Sequence, residues 1–533
     1  MGLGTHHLGA AVAFLVLTIL ATSGDSEPIR SRSALLDAAA AHQAHADRDL
    51  SVDNRRRAAH HLHRALSLYR DLGRRDLEAR VLVELGHLHR VEGRTGLALS
   101  FFDRAVSVDV RPGARALVER GKALSELGEH ERALSDFHRA SRSGLSGGER
   151  AAVLYGTAIS LDELGRLSEA RRAIELSLQA SKDVDERFAF YADLLMRMGE
   201  IAKAFEVSEQ ARTGRSVSLR AFQEELLDDD TRLLSYFLGD ERSFLWSVTR
   251  GTLSAHELPA RRSIERLVRE ARRDLSTPLS RRVIALEKVS RLLLGPVAGL
   301  TMKPRLVVVS DGELSALPFA PLPLGSDRIP LVNVLEIVRL PAATLLPELR
   351  SRVQRTRFSR TVAVAADPSH GLPAARREAA SIEAIAPSGQ VEVVYGKQAS
   401  RDWIARVELG SFRVLHFATH GALGRGIALR DGFLRLDELL ERRVAAELVV
   451  LSSCDAGLAR GFLEAGARRV IASYWAVDDE ATAALMKVFY EKLFSGASPA
   501  TALREAQMML RRTPRFRSPY YWAGFELRGD WAF

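Results

Sequence analysis

Cysteine is nearly absent: among 533 residues there is one, Cys454. That excludes any disulfide within the chain. Blocks of five or six like charges are also missing, although the formal net charge is +9. The arginine excess is spread along the whole chain and reads as solvated helix faces. With no aromatic-and-basic stacking pattern beside it, no nucleic acid partner is expected. No D-x-D-x-D-G loop and no histidine cluster with carboxylate or cysteine partners occurs, so no metal, nucleotide or organic cofactor is indicated. His60, His61, His63, His87 and His89 read as surface histidines of helices. The longest uncharged apolar stretch is Leu8–Ala21, "LGAAVAFLVLTILA". It is too short for a comfortable bilayer span and suits the apolar core of a signal peptide. Small residues at Ala21, Thr22 and Ser23 place cleavage before Gly24, while "MGLGTHH" ahead of it lacks Lys and Arg. Residues 1–23 therefore read as a signal peptide or an uncleaved anchor, with an exported or membrane-anchored protein expected and a cytoplasmic one the alternative. Any membrane association would run through that segment alone.

What is present is ordinary for a globular protein, 46% hydrophobic and 27% charged, in a chain long enough for two to four domains. After a linker or leading helix over 24–53, residues 54–215 repeat. "GRTGLALSFFDRA", "GEHERALSDFHRA", "GRLSEARRAIELS" and "GEIAKAFEVSEQA" begin at Gly93, Gly128, Gly165 and Gly199, spaced 35, 37 and 34 residues apart. Alanine recurs five residues after each glycine, at Ala98, Ala133, Ala170 and Ala204, and small residues (Gly86, Gly121, Ala158) precede the first three by seven. This period and these small positions resemble the tetratricopeptide repeat (TPR). Small side chains let two helices approach, glycine turns the chain between them, and neighbouring pairs must stack into a solenoid to bury their apolar faces. Residues 60–86 add a degenerate or capping helix.

Past Arg215 the period fails. Residues 231–259 read as two strands around "GDE", followed by a basic helical stretch from about Arg261 to Val297. Continuous apolar runs then alternate with helical segments: "RLVVVS", "TVAVAADP", "VEVVYG", "RVLHFATHG", "ELVVLSSC" and "RVIASYWAV". Strands buried on both faces and separated by helices predict an α/β domain with a mostly parallel sheet.

In such a sheet chemistry gathers at the carboxyl ends of the strands. His420 follows one run and Cys454 another, 34 residues later. An imidazole beside a thiol stabilises the thiolate and later protonates a leaving amine. His416, on the other face of the same strand, reads as a satisfied core histidine. "GALGRG" (421–426) lacks the strand-before, acid-after setting of a nucleotide loop.

"HFATHG … LVVLSSC" resembles the His-Gly, spacer, Ala/Ser-Cys signature of caspase-like cysteine peptidases. More closely, the chain resembles the CHAT domain, the separase-related caspase-type domain that accompanies TPRs. "LLSYFLGDERSFLWSVTRG", "VVVSDGELSALPFAPLPL", "GFLEAGARRVIASYWAVDDEAT", "SPATALREAQ" and "PYYWAGFELRGDW" extend the likeness over 230–533. The resemblance implies an inactive caspase-like half (230–355) and an active half (356–533). It also implies His420 as general acid/base, Cys454 as nucleophile, and the backbone amides of Gly421 and Cys454 as the oxyanion hole. Asp479, with Asp478 beside it, corresponds to the acid that in separase receives a basic side chain before the cut. The other reading is that both simply start the next helix. The family's glycine-rich loop after the cysteine is short here, "CDAG" passing almost directly into "LARGFLEAGA". Two functions therefore stand open. One is a cysteine endopeptidase acting on a protein or peptide substrate, possessing a TPR concave face for a protein partner. The other is a catalytically inactive TPR–CHAT adaptor.

Overall fold

The structure, a computed structural model, describes residues 31–532 except 52, 109–112, 182–185, 279–283, 354–357, 359, 370, 388–390, 408, 420, 423–425, 443 and 453–455. It divides into two compact units, Met1–Ser181 and Lys182–Phe533.

The first unit is all-α. Its helices are α1 (Arg32–Ser51), α2 (Arg55–Asp71), α3 (Arg75–Val91), α4 (Thr95–Val108), α5 (Ala114–Glu126), α6 (His130–Ser141), α7 (Gly147–Glu163) and α8 (Leu167–Ala180). The repeat glycines turn the chain within each pair: Gly93, Gly128 and Gly165 have φ of 75°, 81° and 72°, the left-handed region open to glycine at no steric cost. The small positions matter for a second reason. A Cβ on Gly121 would lie 2.7 Å from the Phe137 ring, so the aromatic of one helix seats against the bare backbone of its partner. A further pair, α1 with α2, precedes the glycine-led repeats. Its turn uses Asp53 at φ 56°, a residue type that tolerates this region, and Asn54 caps α2 by accepting from Arg57 N–H.

The second unit opens with two helices that continue the repeat pattern, α9 (Glu186–Arg197) and α10 (Ile201–Thr213), turning at Gly199 with φ 76°. They are built into the sheet domain. Arg212 donates to Asp311 (2.7 and 2.9 Å) and to the Tyr236 carbonyl (2.6 Å). Glu209 accepts from the Ser235 hydroxyl (2.7 Å) and the Ala343 amide (2.5 Å). The Trp246 indole donates to the Ile201 carbonyl (3.1 Å).

The strands are β1 (Thr231–Phe237), β2 (Arg242–Val248), β3 (Leu253–Pro259), β4 (Arg305–Val309), β5 (Pro323–Leu324), β6 (Ile329–Pro330), β7 (Glu336–Arg339), β8 (Arg360–Ala366), β9 (Val391–Tyr395), β10 (Phe412–Ala418), β11 (Gly421–Ala422), β12 (Gly426–Leu429), β13 (Gly432–Leu434), β14 (Leu448–Leu451), β15 (Arg469–Ser473) and β16 (Phe525–Gly529). Among the described residues, eleven form one sheet in the order β3-β2-β1-β4-β7-β16-β15-β14-β10-β8-β9. β1–β3 are antiparallel, as is β16 against β15; the remaining pairs are parallel. The fold is thus an N-terminal helical-repeat region followed by an α/β domain with a mostly parallel sheet. Residues 231–259 form three strands, not two. The third, β3, is a half-exposed edge strand whose polar residues hide it from an apolar-run reading.

Two helices, α11 (Arg261–Leu275) and α12 (Ile284–Leu294), supply the basic stretch and bury Ile264, Val268, Val289 and Leu293 against Leu234, Tyr236 and Val308 of the sheet. Beyond them lie α13 (Leu346–Val353), α14 (Pro373–Ile385), α15 (Arg401–Arg406), α16 (Leu436–Glu441), α17 (Ala456–Ala465), α18 (Asp479–Phe494) and α19 (Pro499–Arg512). Between the two stretches of parallel strands, Arg339 of β7 and Glu526 of β16 form a buried ion pair at 3.0 Å. Arg339 also donates to Ser310 Oγ (2.5 Å) and the Leu317 carbonyl (2.6 Å).

Candidate active site at the carboxyl edge of the sheet

β10 lies between β8 and β14, parallel to both. Its buried run is continuous because helices cover both faces of the sheet here. The last paired residues of β10 and β14 are Phe417 and Leu451. The ladder carries on past the strands: Ser452 N–H donates to the Phe417 carbonyl and Asp367 N–H to the Ala418 carbonyl, both at 3.1 Å. His420 and Cys454 each come three residues after that last pair in sequence. Both lie outside the described residues. Gly421 is in β11, its backbone opposite Ile427 of β12 in an antiparallel pair.

Beneath this edge is a polar cluster in an otherwise apolar layer. His416 is paired with Val364 on β8 and Val450 on β14, both fully buried. Its Nε2 lies 2.9 Å from Glu378 Oε1 of α14, and its Nδ1 lies 2.9 Å from the Tyr490 hydroxyl of α18. Ser452 Oγ donates to the same Glu378 oxygen at 2.5 Å and lies 3.2 Å from His416 Nε2. Burial, with Glu378 adding to it, pushes the Tyr490 phenol well above its usual range, so it stays a neutral O–H donor. One tautomer then satisfies the whole cluster. Tyr490 donates to Nδ1, and Nε2–H and the Ser452 hydroxyl both donate to the carboxylate. His416 is the core histidine its place on the strand suggests. Glu378 and Ser452 were not singled out from the sequence, although Glu378 falls on the inward face of α14 with Ala374, Ala379 and Ile382.

A third strand end contributes Asp367, after β8. Burial works against its carboxylate. The Arg376 guanidinium (2.5 Å) and the N–H groups of Leu372 (2.9 Å) and Gly371 (2.8 Å) outweigh that and hold its pKa below the usual aspartate range. Its backbone, at φ 46°, bends the chain back into α14.

The segment after β15 is braced from below. Trp475 Nε1–H donates to the Tyr520 carbonyl (3.0 Å), and the Tyr520 hydroxyl to the Ala476 carbonyl (2.8 Å). Asp478 caps α18, accepting from Ala481 N–H at 2.9 Å, and Asp479 is the exposed first residue of that helix. The repeat-helix histidines make no group placed to hold a metal among the described residues, and His87 pairs with Glu119 at 3.5 Å. No described helix is long and apolar enough to cross a membrane.

Residues 274–530 match the family model of the CHAT domain. The chain carries a CHAT domain. The helices ahead of it are TPR-like repeats, in keeping with a second likeness. Tetratricopeptide repeat protein 28 of Mus musculus is 34% identical over 113 residues, 19% of this chain and 5% of that protein. Its Homo sapiens counterpart is 32% identical over the same length. The chain thus spans only about a twentieth of the curated relatives it matches. Among solved structures, the Saccharomyces cerevisiae separase–securin complex aligns over 93% of this chain and 52% of that one, at 11% identity and a TM-score of 0.47. MamA of Desulfovibrio magneticus RS-1 aligns over 33% of this chain and 93% of its own, at 14% identity and a TM-score of 0.29.

Proposed function

We propose that this TPR–CHAT chain is a cysteine endopeptidase with Cys454 as nucleophile and His420 as its acid/base. The supporting observation is the register of β10 and β14, parallel neighbours whose ladder runs on to Ser452 and leaves His420 and Cys454 the same number of residues beyond it. In this reading the Cys454 thiolate attacks the scissile carbonyl carbon, forming a C–S bond. The C–N bond breaks as the His420 imidazolium gives its proton to the leaving amine. Water then attacks the thioester, losing a proton to His420, and the C–S bond breaks to release the acid and restore the thiolate. The amides of Gly421 and Cys454 would hold the oxyanion. Asp479 would receive a basic side chain of the substrate ahead of the cut, and the repeats would bind a protein partner on their concave face. Export or anchoring through residues 1–23 belongs to the same proposal.

The test is cleavage of a peptide library by the full chain. Cleavage lost in both Cys454→Ala and His420→Ala supports the endopeptidase. Cleavage that persists in Cys454→Ala sinks it. One observation favours the adaptor instead: α17 begins at Ala456, only two residues past Cys454, so the loop that shapes a peptide groove in this class has little room. An adaptor would keep its cellular effect in the Cys454→Ala chain.

A further inference from the structure

A buried carboxylate and imidazole normally destabilise a fold unless their polar atoms find partners, because burial strips them of water. Among the described residues, Glu378 (3% exposed) and His416 (1% exposed) are partnered by each other and by Tyr490 and Ser452. Tyr490 lies within the body of α18. Ser452 does not lie within an element: it is the residue after β14 and the last described before the segment that carries Cys454. It is held twice. Its amide is tied to the Phe417 carbonyl at 3.1 Å, and its hydroxyl to Glu378 at 2.5 Å. Backbone and side chain are therefore both fixed, the second from a different helix than any that flanks β14 in sequence. The neighbouring strands face His416 with Val364 and Val450. A serine needed only for packing would not require a buried carboxylate behind it.

We propose that Glu378 and His416 are positioning residues for the nucleophile, acting through the Ser452 hydroxyl to fix the strand end from which Cys454 is presented to His420. The proposal rests on the endopeptidase reading. Displacement of a reacting group by a fraction of an ångström to an ångström costs on the order of ten- to a hundredfold in rate. Loss of the anchor should therefore slow the thiolate chemistry of Cys454 by about tenfold near neutral pH without unfolding the protein.

Because Cys454 is the one thiol in the chain, its alkylation by iodoacetamide can be followed across pH in the full chain by mass spectrometry. Ser452→Ala, Ser452→Thr, Glu378→Gln and His420→Ala are compared with the unaltered protein, each with a thermal melt. Ser452→Ala is the deciding variant, since it removes a single hydroxyl and leaves the β-strand intact. The expected result is a reactive profile well below that of a free thiol, lost in His420→Ala. The same profile should move toward the free thiol in Ser452→Ala and Glu378→Gln and return in Ser452→Thr, with Ser452→Ala still melting in a cooperative transition, lowered by the lost hydroxyl. A depressed profile that vanishes in His420→Ala but survives in Ser452→Ala overturns the positioning role and leaves the endopeptidase standing. A free-thiol profile near pH 8.5 in the unaltered chain, indifferent to His420→Ala, overturns the endopeptidase reading and the positioning role with it.

Discussion

Replacing glycine by alanine in a helix usually stabilises it, and in the repeats the sign should depend on which glycine is changed. Gly86 is a buried residue of α3. A Cβ added there would lie 2.7 and 2.8 Å from Cδ1 and Cζ of Phe102, with Cε1 closer still. Carbon–carbon contacts relax near 3.5–4.0 Å, so the Phe102 ring would have to move by about 1 Å. It has nowhere to go, since its side chain is fully buried in the core formed by Leu62, Leu82 and Ala98. The helical gain of Gly86→Ala is about 0.8–1 kcal/mol, and overpacking a well-filled core costs about 1–3 kcal/mol. The net effect is a destabilisation of up to about 2 kcal/mol. Gly96, in the first turn of α4, is exposed and has no atom within 4 Å of its added Cβ. Gly96→Ala should gain a few tenths to about 1 kcal/mol. At about 2–4 °C per kcal/mol for a unit of this size, scanning calorimetry of the full chain should show the repeat transition falling with Gly86→Ala and rising with Gly96→Ala. A Gly86→Ala protein that melts at or above the parent would refute the claim that the small position exists to admit Phe102.

Asp479→Lys should abolish any preference for a basic residue before the cut in a peptide library, and unchanged selectivity would return Asp479 to the role of a helix-start acid. Burial alone would raise the pKa of Glu119, but His87, Lys122 and Arg90 more than reverse this and bring it down to about 2 from 4.5. Its contribution to the repeats is therefore complete above about pH 4.5 and lost as pH falls toward 2, and Glu119→Gln should flatten that acid limb in melts run from pH 7 to 2.5. Glu526→Leu strands the Arg339 charge and the Tyr474 hydroxyl that donates to it. It should cost roughly 3–5 kcal/mol, and combining it with Arg339→Met should cost much less than the sum in a denaturant double-mutant cycle.

The parallel core of the sheet was legible because strands covered on both faces are written as unbroken apolar runs: "RLVVV", "RVLHFA" and "ELVVL" became β4, β10 and β14. β7 and β16 were not. Each is short and carries charge, Glu336 and Arg339 in one, Glu526 and Arg528 in the other. Arg339 and Glu526 neutralise each other only once the two strands are side by side, and no local pattern reports that. The first helix pair was read only as a leading helix and a capping helix, since Asp53 stands where the later pairs have glycine. Periodicity also could not say which body buries a repeat. The motif at Gly199 matches the others in sequence, yet Arg212 and Glu209 wire α10 into the sheet domain. At the site, strand ends and spacing pointed to His420 and Cys454. Glu378, His416, Ser452 and Tyr490 are spread over 112 residues, with hydrogen-bonded pairs 36 to 74 residues apart, and meet only in the fold.

The place of β16 bears on the order in which the domain can be assembled. Every other strand of the sheet precedes it in the chain, yet it sits at the centre, between β7 and β15. Until residues 525–529 have been made, the sheet is two five-stranded pieces, each ending in an open edge where the next strand belongs. Open edges recruit foreign strands, so a nascent chain stalled short of β16 carries two sticky borders that face the same missing partner. β16 pairs with β15 over five positions and with β7 over two. It should therefore complete the Cys454-bearing piece first and draw in the other second. The strand ends that carry His420 and Cys454 thus share a continuous sheet with β1–β4 only after synthesis has passed them by more than seventy residues.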